Sequence, residues 1–443
     1  MFRILILFSR YAFIAGMILF LWESVKYFVG KDREAESDRF ILVQRIILVL
    51  FNILGFLILQ LGGYSGAVPA IVIGIAMVFY IGAFSLVTDK MYKKRTGIIS
   101  NCVLMLMVTG IIMLQRLDTS LALKQLVWFA AGLLIVSAMP VVIKTLPKLY
   151  KFKYLYILIA IALTAFTLFA GEEIYGSKNW ISIGGFGFQP SEISKMLVIL
   201  YLASVFRKEG NLKNIFIGGI PLALIVLMLV VEKDLGGSLI FFMTYMLMMY
   251  VASGSELIFI GGMGAASLAA VAAYKLFSHV RVRVAAWIDP WVDIDRGGYQ
   301  IAQSLFAIGA GGFLGTGLTL GLPKTIPFVE KDIIFSAVCE EMGIIFGIGI
   351  IFIFLIMFAA SLKNACAIDD RFMSMISIGI VANMSFQTFL IIGGNIKLLP
   401  LTGVTLPFIS YGGSSYLMSM VMFAFLSFMF IIKQKGSEED VEI

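Results

Sequence analysis

The chain is poor in charged residues, cysteine and histidine, and each shortage argues against a class of protein. Charged residues make up only 14% of its 443 residues, well below the share of about a quarter that is usual in soluble domains. No polar stretch is long enough to build a separate soluble domain. The three cysteines show no paired spacing, which argues against a disulfide framework or a zinc site. His279 is the single histidine and no nucleophile elbow is present, which argues against a Ser-His-Asp hydrolase.

Long apolar runs fill most of the sequence. Hydrophobic residues make up 60% of the chain, and a helix needs about 20 mostly apolar residues to cross a bilayer. The pattern predicts an all-α fold, a polytopic transmembrane helix bundle of about thirteen spans. The spans are expected at roughly 10–29, 41–62, 67–87, 98–115, 121–143, 153–170, 191–206, 214–231, 235–252, 256–276, 334–360, 372–393 and 413–432.

Lysines and arginines cluster in the short loops between these spans and orient the bundle. If the N-terminus faces outward, the two densest basic clusters, around Lys93 and Lys148, fall inside the cell. The odd number of spans then places the C-terminus in the cytoplasm. The net charge of +7 is therefore interpreted as a topology signal, and no nucleic-acid partner is predicted. The first apolar run is long and lacks a small-residue cleavage site, so it is interpreted as a span and not as a signal peptide.

The longest outward loop, at about 277–333, is too long to be a simple connection. It is rich in aromatic and apolar residues and in glycine, without low-complexity bias, so disorder fits it poorly. We expect an ordered cap over an active site. Its glycine cluster allows tight turns or close approach of the backbone to a ligand, but it lacks the lysine and strand context of a nucleotide-binding loop. The cluster comprises Gly309, Gly311, Gly312, Gly315, Gly317 and Gly321.

Charged residues inside or beside spans are costly in lipid, so each is a candidate functional residue. Glu192 and Lys195 lie three apart on one helix face and can neutralise each other. Two interpretations stay open: an ion pair that orients the helix, or a lysine that holds an anionic headgroup. Asp234 begins the ninth predicted span, where it either caps the helix or contributes to a site.

Asp332 lies where the long outer loop re-enters the membrane. An acid at a helix start is often only a favourable partner of the helix dipole. The alternative is a partly desolvated carboxylate that acts as a general base on a sugar hydroxyl. Arg281 and Arg283, at the start of the same loop, can bind pyrophosphate by paired hydrogen bonds or can simply snorkel at a span end.

These motifs, taken in order, resemble the SEDS family, the shape, elongation, division and sporulation proteins that include FtsW, RodA and SpoVE. The resemblance covers about 98–432. Its marks are Asn179-Trp180 with Gln189-Pro190-Ser191-Glu192 and Lys195, then Asp234-Leu235-Gly236, then Tyr299-Gln300 with Ser304 and the glycines, then Asp332 with Glu340-Glu341-Met342-Gly343, and the run Leu406-Pro407-Phe408-Ile409-Ser410-Tyr411-Gly412-Gly413-Ser414-Ser415.

The resemblance implies a peptidoglycan glycosyltransferase that polymerises lipid II, the undecaprenyl-pyrophosphate-linked disaccharide pentapeptide, beside a class B penicillin-binding protein. Asp332 matches the family's essential aspartate and would deprotonate or position the acceptor 4-hydroxyl. By the same likeness, Lys195, Arg281 and Arg283 would stabilise the pyrophosphate. The expected substrate-binding residues are Lys195, Glu192, Arg281, Arg283, Asp234, Gln300, Ser304, Ser410 and Ser414.

The chain also departs from the family pattern. The family core has ten spans, so 1–97 is expected to be an accessory N-terminal transmembrane segment, 98–432 the glycosyltransferase core and 433–443 a cytoplasmic tail. A lipid II flippase and a non-catalytic scaffold stay open as alternatives, and the roles in division, elongation and sporulation are not separated. A divalent cation is compatible with departure of pyrophosphate, but no clear ligand cluster specifies a metal or other cofactor.

Overall fold

The computed structural model describes residues 2–29, 34–63, 68–92, 96–145, 149–174, 177–183, 186–207 and 212–432. Three parts of the sequence prediction lie outside these residues. They are the cytoplasmic tail at 433–443 and the two basic residues Lys93 and Lys148 of the predicted topology. Helices dominate the described part. They are α1 (Phe2–Val29), α2 (Glu34–Leu61), α3 (Ala70–Tyr92), α4 (Gly97–Leu117), α5 (Thr119–Thr145), α6 (Lys153–Ala170), α7 (Pro190–Val205), α8 (Leu212–Val231), α9 (Leu235–Ser253), α10 (Glu256–Leu276), α11 (Ser278–Ile288), α12 (Tyr299–Gly311), α13 (Ile334–Met342), α14 (Ile344–Ala367), α15 (Arg371–Asn395) and α16 (Gly413–Met429).

Twelve of the thirteen predicted spans each correspond to one helix of the structure, and the span predicted at 334–360 corresponds to two. In the described residues, ten helices are long and apolar enough to cross a membrane, which identifies a multi-pass membrane protein with a helical fold. The other three predicted spans correspond to α7, α8 and α16, which do not reach that length and hydropathy within the described residues. The count of thirteen spans stays a prediction.

The span predicted at 334–360 forms two helices, because the helical conformation is interrupted at Gly343. This glycine has a φ of +92°, which an L side chain rarely adopts. A Cβ atom at this position would lie 2.5 Å from both Gly315 N and Phe313 O. Apolar residues lie on both sides of the break and outnumber Glu340 and Glu341, so the hydropathy pattern alone predicted one continuous helix.

A small antiparallel sheet between α6 and α7 adds strands to a fold predicted as all-α. Its strands are β1 (Glu172–Ile174), β2 (Ser177–Ile183) and β3 (Phe186–Phe188), in the order β1-β2-β3. Glu172 pairs with Trp180, and Ile181 pairs with Phe188. The β-branched and aromatic residues of this stretch favour a pleated surface, but the segment is too short and too isolated to stand out beside the apolar runs.

Two compact units contain the described residues. The first is drawn from Met1–Pro140, Gln300–Ala360 and Thr405–Gly412. Its centre is α4, all of whose residues are buried, and which packs against α2, α3 and α13. The second is drawn from Val141–Tyr299, Ser361–Val404 and Gly413–Ile443. Its centre is α7, which packs against α6, α9, α15 and α16.

Candidate active site

Asp332 lies in the first unit, two residues before α13, with 8% of its surface exposed. The backbone just before it is held by the segment that ends at Gly412. Ser410 donates its hydroxyl to the carbonyl of Lys331, and the amide of Tyr411 donates to the carbonyl of Glu330 at 2.8 Å. The aspartate is therefore presented by a chain segment whose path is set on both sides, by Ser410 and Tyr411 before it and by α13 after it.

The start of α13 is also tied to α12. Ser304 of α12 and Ser336 of α13 are buried and their hydroxyl oxygens lie 2.6 Å apart. Gln300 is half-buried one turn before Ser304 on the same helix face. The first unit thus gathers Asp332, Ser304 and Ser410, three residues predicted from the sequence, around the beginning of one short helix.

The other end of α13 carries a buried ion pair. Nε of Arg116 lies 2.9 Å from Oε1 of Glu341, and the side chains are 3% and 0% exposed. Arg116 also donates from its terminal nitrogen to the carbonyl of Gly321 at 2.9 Å. The neighbouring Glu340 accepts from the amide of Leu322 at 2.8 Å. These bonds join the ends of α4 and α13 to the residues 309–322 before Asp332, here called the glycine-rich stretch.

The glycines of that stretch serve close packing of backbone on backbone. A Cβ atom at Gly311 would lie 2.2 Å from the carbonyl oxygen of Cys339, and one at Gly315 would lie 2.4 Å from that of Glu341. Gly315 also has a φ of +79°. At these two positions the close approach is therefore between backbone segments of the protein itself.

Lys195 lies in the second unit as a buried cation between two partners. Its ammonium is 2.8 Å from Oε1 of Glu192 and donates to Oε1 of Gln387 at 3.0 Å. The predicted pair on one face of α7 is confirmed, and a residue of α15 completes it. The Lys195 side chain is 5% exposed, so water screens its charge little, and the carboxylate of Glu192 balances that charge.

Asp234 caps α9 and binds a second set of polar groups. Its Oδ1 accepts from the amide of Gly237 at 2.7 Å, as the capping interpretation predicted. Its Oδ2 accepts from Asn179 at 2.7 Å and from Gln189 at 3.4 Å. Ser414 lies in the same region, because its hydroxyl accepts a hydrogen bond from the backbone amide of Gln189 at 3.3 Å.

The two predicted arginines have different surroundings. Arg283 of α11 donates to the carbonyl of Thr402 at 3.0 Å, and Thr402 lies against Gly236, beside Asp234. Arg281 is exposed and donates to the carbonyl of Lys275, six residues earlier, at 2.8 Å. The structure therefore places Arg283 with the Asp234 region and leaves Arg281 on the surface.

A buried glutamate follows α8 in the second unit. Glu232 is 1% exposed, and Oε1 accepts from the Thr167 hydroxyl at 2.7 Å. Burial raises the pKa of this carboxyl to about 7. The Glu232 carbonyl also accepts from the amide of Lys178 at 2.9 Å, so the sheet strand β2 is attached at this point.

Sequence reasoning missed Arg116 and Gln387. Arg116 follows a predicted span on its outer side, where an arginine that snorkels to the membrane surface is ordinary, and its partner Glu341 lies 225 residues away. Gln387 is one of two amide side chains, with Asn383, inside the predicted span at 372–393, and the rarity of such groups in a span was the available signal. Among the described residues, no group of three or more His, Cys, Asp or Glu side chains is placed to hold a metal ion.

Each unit therefore presents one kind of chemistry. The first holds a positioned carboxylate, suited to accept a proton from a hydroxyl. The second holds a buried lysine, suited to stabilise negative charge on a leaving group or headgroup.

Comparison with known sequences gives consistent matches. A family model for FtsW, RodA and SpoVE, described as cell cycle proteins, matches residues 98–434. Peptidoglycan glycosyltransferase RodA of Mycobacterium tuberculosis is 31% identical over 383 residues, which cover 80% of this chain and 82% of that protein. A probable peptidoglycan glycosyltransferase FtsW of Geobacter sp. is 35% identical over 258 residues, covering 56% and 70%. Stage V sporulation protein E of Bacillus subtilis is 34% identical over 250 residues, covering 54% and 68%.

Solved structures show the same fold. A chain from a structure described as the coordination of polymerization and crosslinking by a peptidoglycan synthase complex matches with a TM-score of 0.65 and 24% identity. That match covers 75% of this chain and 96% of the other. The rod shape determining protein RodA of Thermus thermophilus matches with a TM-score of 0.56 and 22% identity, covering 75% and 95%.

Proposed function

The chain belongs to the FtsW/RodA/SpoVE family and is a peptidoglycan glycosyltransferase, and from this premise we propose that it polymerises lipid II into glycan strands. The reaction takes place at the outer face of a bacterial cytoplasmic membrane. In the proposed topology the N-terminus is extracellular and the C-terminus is cytoplasmic, as the distribution of basic residues favours.

The observation that carries the proposal is the placement of Asp332. It is the buried carboxylate of the outer loop, and the backbone around it is held by Ser410, Tyr411 and α13. A general base must be held within hydrogen-bond reach of the proton that it removes, and a fixed geometry lowers the barrier by avoiding a search for orientation. The backbone hydrogen bonds beside Asp332 support such a role, because they hold the chain that carries its carboxylate.

In the proposed step Asp332 accepts the proton of the acceptor sugar's 4-hydroxyl. The hydroxyl oxygen forms the new glycosidic bond to the anomeric carbon of the donor sugar. The bond between that carbon and the undecaprenyl pyrophosphate oxygen breaks, and the pyrophosphate leaves with the electron pair. The proton on Asp332 then passes to solvent, which returns the carboxylate to its starting state.

Lys195 is proposed to bind the pyrophosphate and to stabilise the charge that develops on it. Glu192 and Gln387 hold the ammonium in place. Arg283 is a further candidate for the anionic group, and Arg281 remains one from the surface. The remaining proposed substrate-binding residues are Asp234, Gln300, Ser304, Ser410 and Ser414.

A class B penicillin-binding protein is the proposed partner. The solved relative named for a peptidoglycan synthase complex coordinates polymerisation with crosslinking, and a protein that makes strands needs one that crosslinks them. The relatives include RodA, FtsW and stage V sporulation protein E, and the proposal does not separate division, elongation and sporulation.

The test compares Asp332→Asn with wild type and with Asp295→Asn. Asp295 is an exposed aspartate of the same outer loop, so it is a matched control for the loss of one carboxylate. Each purified protein is mixed with labelled lipid II, with and without a class B penicillin-binding protein, and glycan chains are resolved on gels. We expect polymer from wild type and Asp295→Asn and none from Asp332→Asn at an unchanged melting temperature.

Two results would contradict the proposal. Polymer from Asp332→Asn at the wild-type rate would remove the carboxylate from the mechanism. A wild-type protein that makes no polymer with any partner, yet moves labelled lipid II across vesicle membranes, would favour the flippase alternative.

A further inference from the structure

The first three helices lie outside the stretch that the family model matches, which begins at residue 98. They nevertheless pack closely against the rest of the first unit, to which they belong. Asn101 of α4 donates to the carbonyl of Ile41 and to Gln44, both on α2, at 3.1 and 3.0 Å. Phe51 of α2 stacks on Phe346 of α14 with ring centroids 5.6 Å apart. The segment is therefore part of the first unit's core.

One contact of this segment reaches the glycine-rich stretch directly. The guanidinium of Arg10 on α1 donates to the carbonyl of Gly315 at 3.2 Å. Gly315 is the glycine whose missing side chain lets its backbone lie against Glu341 and Gly343. Arg10 thus binds one side of a peptide whose other side packs on the end of α13.

Two further contacts hold the same stretch. A Cβ atom on Gly62, just after α2, would lie 2.9 Å from Cγ2 of Thr319. A Cβ atom on Gly317 would lie 3.0 Å from Cγ2 of Ile6 on α1. Backbone therefore approaches side chain closely at both points, and helices α1 and α2 both contribute.

The stretch in turn holds α13 through backbone bonds. The amide of Thr316 donates to the carbonyl of Glu340, and the amide of Gly317 donates to the carbonyl of Glu341, each at 2.9 Å. A helix of nine residues is about 13 Å long and moves as a rigid rod. A shift at its C-terminal end therefore moves the end that follows Asp332.

We propose that Arg10 is a positioning residue for the glycosyl transfer, and that helices α1 and α2 brace Asp332 through the glycine-rich stretch and α13. This inference rests on the proposed function, in which Asp332 is the general base. The contacts run from Arg10 to Gly315, from Gly315 to the end of α13, and along α13 to Asp332. Substrate binding by Lys195 lies outside this set of contacts.

The test compares four single-substitution variants of the full-length protein with wild type. Arg10→Ala removes the donor, and Arg10→Lys retains a cation that can reach the same carbonyl. Tyr11→Phe is the matched control, because the Tyr11 hydroxyl is the other hydrogen-bond partner of Arg10, at 3.2 Å. Phe8→Ala controls for a substitution on the outer surface of the same helix, because Phe8 is 67% exposed. Each protein is assayed for polymerisation of lipid II and for hydrogen–deuterium exchange at 312–322 and 334–342.

We expect Arg10→Ala to lower kcat about tenfold, because small displacements of a catalytic group are costly, with KM changed less than about twofold. Arg10→Lys is expected to recover part of kcat, and the two controls to match wild type. Exchange at 312–322 and 334–342 should rise in Arg10→Ala alone. A general loss of folding would instead raise exchange throughout and lower the melting temperature.

Unchanged exchange at both segments in Arg10→Ala would overturn the brace, and so would faster exchange with unchanged kcat. If wild type makes no polymer, the proposed polymerase function fails by itself, and the exchange comparison still decides whether Arg10 holds α13. The two failures are therefore distinguishable.

Discussion

Arg116 and Glu341 form a buried ion pair across 225 residues of sequence, with Nε and Oε1 2.9 Å apart. Removing one member of such a pair leaves an uncompensated charge away from water, which typically costs about 3–5 kcal/mol. Replacing both members with apolar side chains is often nearly neutral. The pair therefore has a distinctive signature in a double-mutant cycle.

We expect Arg116→Met to lower the free energy of unfolding by about 3–5 kcal/mol and the double variant Arg116→Met/Glu341→Met to recover most of that loss. Unfolding would be followed in lipid–detergent micelles. Arg45 and Asp89, a half-exposed pair with 20% and 26% side-chain exposure, provide the control, because Arg45→Met should cost only about 1 kcal/mol. Equal losses at the two sites would contradict the special cost of burial at Arg116.

Lys195 and Glu192 allow the structural and the functional interpretation to be separated. The double variant Glu192→Gln/Lys195→Met removes both charges at once, so it leaves neither partner buried alone. If Lys195 binds pyrophosphate, this variant keeps the wild-type melting temperature and loses about 100-fold in polymerisation rate. Glu23 and Lys26 form an ion pair of the same spacing on α1, so Glu23→Gln/Lys26→Met is the matched control. Normal polymerisation by the Glu192/Lys195 double variant would assign the pair a purely structural role.

Glu232 predicts a dependence of stability on pH. Burial raises its pKa in the folded protein to about 7, from an ordinary value of 4.5. Between these values the folded protein holds a proton that the unfolded chain has lost, so raising the pH through this interval lowers the free energy of unfolding. We expect wild type to lose on the order of 2 °C more in melting temperature than Glu232→Gln between pH 5 and pH 7.5.

Glu173→Gln serves as the control for the pH experiment, because Glu173 is an exposed carboxylate of the same unit. Comparing each variant with wild type at each pH cancels the titration of all other groups. If the melting temperatures of wild type and Glu232→Gln change in parallel across this pH range, the Glu232 carboxyl does not titrate there.

Local patterns predicted much of the site. The ion pair between Glu192 and Lys195 followed from their spacing, because residues three apart lie on one helix face. The capping role of Asp234 followed from its place before an apolar run. Asp332, Ser304 and Ser410 were chosen by their motifs, but their partners Ser336 and Lys331 were not.

Long-range contacts explain what was missed. The break between α13 and α14 depends on Gly343 meeting Gly315, so a hydropathy pattern extends the helix through it. Arg116 has the local pattern of an arginine that snorkels at a span end, and only its contact with Glu341 distinguishes it. The tie between Arg10 and Gly315 spans 305 residues, and nothing local to α1 indicates it.

The sequence by itself determined that the chain forms a helical membrane protein, because backbone groups in lipid must bond within a helix and the apolar runs have the required length. It also determined the candidate carboxylate and cation, since charges are rare and conspicuous in such a composition. Only the tertiary structure decided which groups hold those charges in place. The Glu192–Lys195 pair follows from local spacing. The other pairings and the burial depend on contacts between segments far apart in the chain, and a local pattern of residue types carries no information about such contacts.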